Sequence, residues 1–303
     1  SNAFEMHITK EEELSGLPES VRDAARLLSK QQEKEGWAFT LDYPSYIPFM
    51  TYADSRGLRK KMAIAFGKKG FQDNENNNED VVLAIISLRH QRAQLLGYKT
   101  HAHFVLEERM AETPENVIEF SNTLLKKAKP AAEKEFEELE NYAKKIGKID
   151  LLQKWDGAYY SEKLKKELFD LDQEILKPYF KLENVIEGVF MIVKKLYDLQ
   201  FEQVFNIDKY HEDVKTYQVT NTKGDFISVF YADFHPRKGK RNGAWMTSYK
   251  SQYIKDGLNE RPHVSNVCNF TPPTATKPSL LTFNEVTTLF HEFGHALHGM
   301  LAN

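Results

Sequence analysis

Cysteine is nearly absent from the 303-residue sequence: Cys268 is the only one, so no disulfide can form within the chain. This is typical of a reducing compartment, and we predict a cytoplasmic location, with the periplasm as the alternative if a leader was removed before Phe4. No apolar run is long enough to cross a bilayer, so no membrane association is expected. The net charge of −3 decides little, but no basic stripe with interleaved aromatic residues occurs, so we expect no nucleic-acid partner.

The composition is that of a globular protein, with 41% hydrophobic and 28% charged residues. A chain of this length can bury a sizeable core, in one large domain or two smaller ones. Residues 1–3 (Ser-Asn-Ala) are interpreted as the remnant of an expression tag. We expect the protein to be a monomer.

Apolar residues at helical spacing fill most of the chain up to about residue 210. Helices are predicted over residues 17–36, 79–98, 115–146 and 183–199. Thr113 is a suitable N-cap for the third helix, because Pro114 follows it in the first turn. Pro130 lies inside the same run, so we expect it to kink this helix or divide it in two.

The pattern changes near residue 213, where β-branched and aromatic residues become frequent. Segments 214–221 and 225–234 are predicted to pair as a hairpin, and residues 263–270 are a third strand candidate. The predicted fold class is therefore mainly α. We expect a large multi-helix domain over residues 4–210, followed by residues 211–303, in which a small β-sheet lies next to the last helix.

The last helix carries the motif HEFGH, which contains His291, Glu292 and His295. Thr282 and Glu285 fit a capping box, which predicts that the helix begins there. A helical wheel separates its side chains into two sets. The apolar set is Val286, Leu289, Phe293, Leu297 and Met300, and the opposite set is His291, His295 and His298. The first set is predicted to anchor the helix in a core, and the second to face a cleft.

Two imidazoles one helical turn apart, with Cβ atoms about 5–6 Å from each other, can bind one zinc ion. His291 and His295 have this spacing, and Glu292 is placed to act as a general base towards a zinc-activated water. Gly294 indicates space for close packing or for an approaching substrate. A neighbouring strand can bind an extended peptide through backbone hydrogen bonds. The motif therefore predicts zinc-dependent peptide hydrolysis.

Two histidines alone make an incomplete catalytic zinc site, which normally has three protein ligands. The metzincin pattern is excluded, because His298 and Leu301 stand where it needs glycine and histidine. A carboxylate ligand further along the chain is the remaining option, and none follows. One alternative is a catalytically silent helical binding or scaffold protein, in which His291 and His295 do not converge. Another is one part of a split enzyme that a separate chain completes.

The other histidines and the cysteine are expected to have ordinary structural roles. We predict that His298 is a polar residue at the edge of the cleft and that Cys268 is a buried strand thiol. The scattered histidines are predicted to be surface or hydrogen-bonded residues, namely His90, His101, His103, His211, His235 and His263.

Four segments resemble the thimet oligopeptidase family of zinc metallopeptidases. They are YPSYIPFMTYADSRGLRKKM (43–62), WDGAYYSEKL (155–164), HPRKGKRNGAWM (235–246), and HVSNVCNFTPP through LLTFNEVTTLFHEFGHALHG (263–299). Within the family, NVCNF and Gly299 make the chain look most like bacterial peptidyl-dipeptidase (dipeptidyl carboxypeptidase).

The resemblance implies a mostly helical fold with a deep channel that admits short peptides. It also implies His291 and His295 as ligands of one zinc ion and Glu292 as the general base. The third ligand of the family is a glutamate on a later helix, so residues 211–303 resemble an incomplete zincin-like catalytic domain. The chain is therefore interpreted as an N-terminal fragment, expected to be inactive alone and to bind zinc weakly or not at all. The expected activity is the release of C-terminal dipeptides, with endopeptidase cleavage of short peptides as the alternative.

Overall fold

The computed structural model describes residues 4–170, 173–237, 239–274 and 277–302. The helices are α1 (Glu19–Gln31), α2 (Tyr43–Tyr52), α3 (Arg56–Gly67), α4 (Glu79–Leu95), α5 (His101–Leu106), α6 (Pro114–Gly147), α7 (Gly157–Phe169), α8 (Gln173–Leu176), α9 (Leu182–Tyr197) and α10 (Phe283–Met300). The strands are β1 (Glu5–Ile8), β2 (Trp37–Thr40), β3 (Leu199–Val204), β4 (Lys215–Asn221), β5 (Phe226–Asp233), β6 (Trp245–Lys250), β7 (Tyr253–Lys255), β8 (Leu258–Glu260) and β9 (His263–Val267). The predicted mainly α class is confirmed.

The predicted helices are present as α1, α4, α6 and α9, each close to its predicted bounds. Thr113 caps α6 as predicted, since its side chain accepts a hydrogen bond from the backbone N–H of Asn116. Pro130 was expected to kink this helix or divide it in two, and it does not divide it, because α6 continues through Pro130 to Gly147. Pro130 and its neighbours are exposed, so water can bind the carbonyl that lost its helical partner. Across the described ranges, every helix is too short or too polar for a membrane span.

Contacts within the chain separate two compact units. One contains residues 4–5 and 50–168, and the other contains residues 6–49 together with the described residues from 169 onwards. The domain boundary that we expected between residues 210 and 211 stays a prediction. The two-stranded sheet of β1 and β2 and the larger sheet beside α10 are separate from each other.

In the unit of residues 50–168, a buried ion-pair cluster joins α3 to the segment before α7. The carboxylate of Asp156 is fully buried and accepts hydrogen bonds from Arg56 (Nη2–Oδ2, 2.7 Å) and Arg59 (Nη2–Oδ1, 3.1 Å). Burial would raise the pKa of Asp156, but the bonds from Arg56, the backbone of Gln153 and Arg59 lower it below its ordinary value. Two of the segments that carried the resemblance are therefore in direct contact.

A five-stranded sheet lies in the other unit, in the order β3-β4-β5-β9-β6. Neighbouring strands are antiparallel except β5 and β9, which are parallel. Buried residues of α9, α10 and one face of the sheet form a single hydrophobic cluster, which includes Val189, Phe230, Val264 and Phe293. The sheet therefore supports α10, the helix with the HEFGH motif.

The predicted hairpin is confirmed as β4 and β5, and the third strand candidate is confirmed as β9, which ends at Val267. The side chain of Asn221 closes the hairpin turn by accepting hydrogen bonds from the N–H groups of Lys223 (2.9 Å) and Asp225 (2.9 Å). Gly224 has φ of 87°, a left-handed value that glycine adopts without strain.

Strands β1, β2, β3, β6, β7 and β8 were not predicted. The hairpin of β7 and β8 has a recognisable signal, because Asp256 and Gly257 at its turn both have positive φ. Strand β3 follows α9 almost directly, and the edge strand β6 depends on pairing with β9, which comes later in the chain. Neither leaves a clear local pattern.

Candidate functional site

The start of α10 is tied to the segment after β9 by the side chain of Glu285. The predicted capping box is confirmed: Glu285 N–H donates to Thr282 Oγ1 (3.2 Å), and Thr282 N–H donates to Glu285 Oε2 (2.7 Å). The other carboxylate oxygen, Oε1, accepts from the N–H (2.7 Å) and the hydroxyl (3.0 Å) of Thr271. One side chain thus caps the helix and sets where its first turn lies.

The apolar side of α10 is buried as predicted, with Leu297 only partly buried. At its C-terminal end the helix comes very close to the sheet. A Cβ atom on Gly299 would lie 3.3 Å from Val264 Cγ2 and 3.4 Å from Met246 Cε. Arg261 donates from Nη2 to the carbonyl of Met300 (2.9 Å). Both ends of α10 are therefore fixed.

The two motif histidines are exposed and point towards each other. Their Nε2 atoms are 3.2 Å apart, and their ring centroids are 4.8 Å apart at an interplanar angle of 83°. Two imidazole nitrogens that bind one zinc ion at about 2.0–2.1 Å with tetrahedral angles are about 3.3 Å apart. His291 and His295 therefore have the chemistry and the spacing of a zinc-binding pair, and their role as ligands stays a prediction.

A third ligand does not join this pair in the part of the chain that the structure describes. Throughout those residues, no group of three or more His, Cys, Asp or Glu side chains is placed to hold a metal ion. His298 is exposed on the same helix without completing such a group. Among the described residues, no atom lies within 4 Å of a Cβ placed on Gly294, so none of them needs a glycine there for packing.

Glu292 lies at the border between the exposed and apolar sides of α10 and is only 9% exposed. Its backbone carbonyl accepts a hydrogen bond from Nδ2 of Asn266 on β9 (2.8 Å). Burial and then the negative charge of Glu292 raise the pKa of the nearby Cys268 thiol. Cys268 is fully buried, as predicted, but it lies one residue beyond the end of β9 and is not a strand residue. The raised pKa keeps its thiol protonated. The carboxylate is thus next to the two imidazoles in sequence and close to the centre of the sheet.

The other histidines that the sequence analysis named have a range of environments. Several are hydrogen-bonded, as predicted: His103 to Thr100 (2.8 Å), His211 to the backbone of Asp213 (3.2 Å) and His263 to Tyr231 (3.2 Å). His235 is partly buried, and burial lowers its pKa. His90 is exposed, while His101 is partly buried.

A second charged cluster, which the sequence analysis missed, holds the loop between β5 and β6. The carboxylate of Asp233 is almost fully buried and accepts hydrogen bonds from Arg237 (2.7 and 2.9 Å), Lys240 (2.8 Å) and the hydroxyl of Tyr210 (2.8 Å). Burial would raise the pKa of Asp233, but these donors lower it. The sequence does contain a signal for this cluster, because basic residues stand four and seven positions after an aspartate at the end of a strand. The cluster fixes the entry into β6, the edge strand against which α10 packs.

The chain is similar to known proteins over nearly its whole length. The model of the family described as peptidase family M3 matches residues 49–303. The chain is 41% identical over 299 residues to oligopeptidase A of Salmonella typhimurium, covering 97% of this chain and 44% of that protein. It is 33% identical over 293 residues to dipeptidyl carboxypeptidase of Escherichia coli, covering 96% of this chain and 43% of that protein. The chain thus spans less than half the length of these relatives.

Proposed function

Because the chain belongs to peptidase family M3, we propose that it provides the zinc-binding helix of a metallopeptidase that hydrolyses short peptides. The predicted family resemblance is confirmed by the family match and by the relatives. The observation that carries the proposal is the convergence of two exposed imidazoles, with Nε2 atoms 3.2 Å apart, directly beside a glutamate. The alternative of a silent scaffold protein requires histidines that diverge or are buried apart, and these do neither.

Each residue of the motif has a separate role in the proposal. His291 and His295 would hold the zinc ion, which would supply an activated water near neutral pH and polarise the peptide carbonyl. The carboxylate of Glu292 accepts a proton from the attacking water and passes it to the leaving amine. Its low exposure separates it from bulk water, which strengthens its interactions with nearby charges.

The substrate is proposed to bind along β6. This strand is the last in its sheet, and α10 packs against both β6 and β9. An unpaired strand edge can accept an extended peptide through backbone hydrogen bonds. A short unfolded peptide can adopt this form, whereas a folded protein cannot present an extended backbone to the edge.

The position of cleavage has two candidates. NVCNF and Gly299 favour release of C-terminal dipeptides, the activity that we propose first. One observation favours internal cleavage: the identity to oligopeptidase A is 41%, against 33% to dipeptidyl carboxypeptidase. An N-acetylated decapeptide separates them, because dipeptide release gives successive C-terminal dipeptides in mass spectrometry, whereas internal cleavage gives larger fragments first.

Metal binding can be tested directly on the 303-residue chain by calorimetry with zinc. We expect weak binding, since two imidazoles provide fewer ligands than a complete catalytic site. His295→Ala should abolish it. His298→Ala, which removes another exposed histidine from the same helix, should leave it unchanged. Equal losses of zinc binding in both variants would contradict the assignment of the ligands.

The cytoplasmic location and the monomeric state of the protein stay predictions.

Turnover can be tested in two forms of the protein. The 303-residue chain with added zinc is expected to be inactive. A chimera in which it replaces the matched segment of oligopeptidase A supplies the remaining length of a relative. We expect this chimera to hydrolyse short peptides, and Glu292→Gln to lower kcat by about 10²-fold or more. Undiminished turnover in Glu292→Gln would refute the proposed general base.

A further inference from the structure

Asn266 is a fully buried polar residue that contacts the HEFGH helix at its central turn. It lies on β9, between β5 and β6, where its register partners are Ala232 and Met246. Its Nδ2 donates to the backbone carbonyl of Glu292 at 2.8 Å. In an α-helix that carbonyl also accepts from the N–H four residues later, so it has two donors here.

The other half of the same amide has no hydrogen-bond partner in the described residues. The Oδ1 atom of Asn266 is buried and unpaired. A buried acceptor without a partner costs about 1–3 kcal/mol. Asn266 borders the apolar cluster, because Val264, two positions earlier on β9, and its register partner Ala232 belong to that cluster, and its other partner, Met246, packs against it. An aliphatic side chain at this position would avoid that cost, so the asparagine is not the residue that gives the highest stability.

The helix does not need this bond to stay attached to the sheet. Glu285 holds its first turn, and the contacts of Gly299 and Arg261 hold its last turn. The bond from Asn266 is placed midway, at the residue proposed as the general base. This hydrogen bond therefore restrains the rotation of the central turn of α10 about the helix axis.

A small rotation has a large effect at the end of a side chain. A carboxylate about 6 Å from the helix axis moves by about 1 Å when the helix rotates by 10°. A displacement of about 1 Å can lower the rate of a reaction about 10²-fold. The spacing of His291 and His295 is set within α10 itself and does not depend on this rotation.

We propose that Asn266 is a positioning residue that fixes the rotation of α10 and thereby the place of the Glu292 carboxylate relative to the sheet, at a cost in stability. The inference rests on the proposed function, because Glu292 must act as the base. It predicts that stability and activity respond in opposite directions when the amide is removed. A residue that only packs the core would lower both.

The first test measures amide hydrogen exchange by NMR in the 303-residue chain. In the unaltered chain, the side-chain NH₂ of Asn266 should exchange slowly. Asn266→Leu should speed the exchange of backbone amides from residue 292 to residue 297 about three- to tenfold, the effect of losing one hydrogen bond. Melting temperature should be unchanged or higher. Ser265→Ala is the matched control, because Ser265 is also fully buried with an unpaired Oγ and points to the other face of β9.

The second test measures kcat and KM in the chimera. Asn266→Leu should lower kcat about 10- to 100-fold with KM little changed, while Ser265→Ala should match the unaltered chimera. Rapid exchange of the Asn266 side-chain amide would overturn the inference, even if the variant does not fold. So would an unchanged kcat in Asn266→Leu, or a parallel loss of stability and activity. If Glu292→Gln remains fully active, the proposed function fails instead, and the exchange result still reports on the bond.

Discussion

The substitution Glu285→Ala tests whether one carboxylate sets the start of the HEFGH helix. It removes four hydrogen bonds, two with the Thr282 cap and two with Thr271, at donor–acceptor distances between 2.7 and 3.0 Å. Loss of a helix cap costs about 1 kcal/mol. Loss of bonds to an ionised acceptor that joins two segments costs about 2 kcal/mol more. The expected total is about 3 kcal/mol.

In a unit of this size, each kcal/mol changes the melting temperature by about 2–4 °C, so Glu285→Ala should lower it by about 6–12 °C. The measurement is thermal unfolding followed by circular dichroism and by calorimetry at pH 7. Glu187→Ala is the control, because Glu187 is an exposed glutamate on α9, and it should change the melting temperature by less than about 2 °C. A decrease of that small size in Glu285→Ala would refute the assigned role of the four bonds.

Two further predictions concern the pH dependence of stability and the packing of α10. The pKa of Asp233 is lowered in the folded state, so its contribution to stability is present above its ordinary pKa of about 4 and is lost as the pH falls through the lower folded value. The difference in unfolding free energy between the unaltered protein and Asp233→Asn, measured with urea from pH 7 to pH 3, should therefore shrink below about pH 4. A difference that stays constant over this range would contradict this account. Gly294→Ala should stabilise the protein by up to about 1 kcal/mol, because alanine favours a helix and the new methyl group meets open space. Gly299→Ala should gain less or lose stability, because its methyl group would press on Val264 and Met246; equal effects on the melting temperature would show that these contacts do not matter.

Features with local causes could be predicted from the sequence. The capping box of Thr282 and Glu285, the apolar side of α10 and the hairpin turn after Asn221 each depend on residues within a few positions of one another. The convergence of His291 and His295 has the same origin, since one helical turn separates them. The continuous course of α6 through Pro130 was harder to predict, because it depends on how exposed that face is.

Features that depend on distant residues could not be predicted. In the sequence Asn266 looks like an ordinary strand residue. Only the structure shows that its amide donates a hydrogen bond to the carbonyl of Glu292, 26 positions later. Asp233 contacts Tyr210, which precedes it by 23 positions, as well as nearby basic residues. The edge position of β6 follows from pairing with β9, and the parallel pairing of β5 with β9 has no local signal.

The sequence by itself determined which residues are candidates for the proposed chemistry: two imidazoles and a carboxylate on one amphipathic helix, recognisable because helical spacing is regular. Only the tertiary structure decided how that helix is seated. Its rotation, its distance from the sheet and the burial of Glu292 depend on Asn266, Gly299 and Thr271, which meet α10 through packing and hydrogen bonds that close long loops. Such contacts are selected by the free energy of the whole fold, and no short segment of sequence contains them.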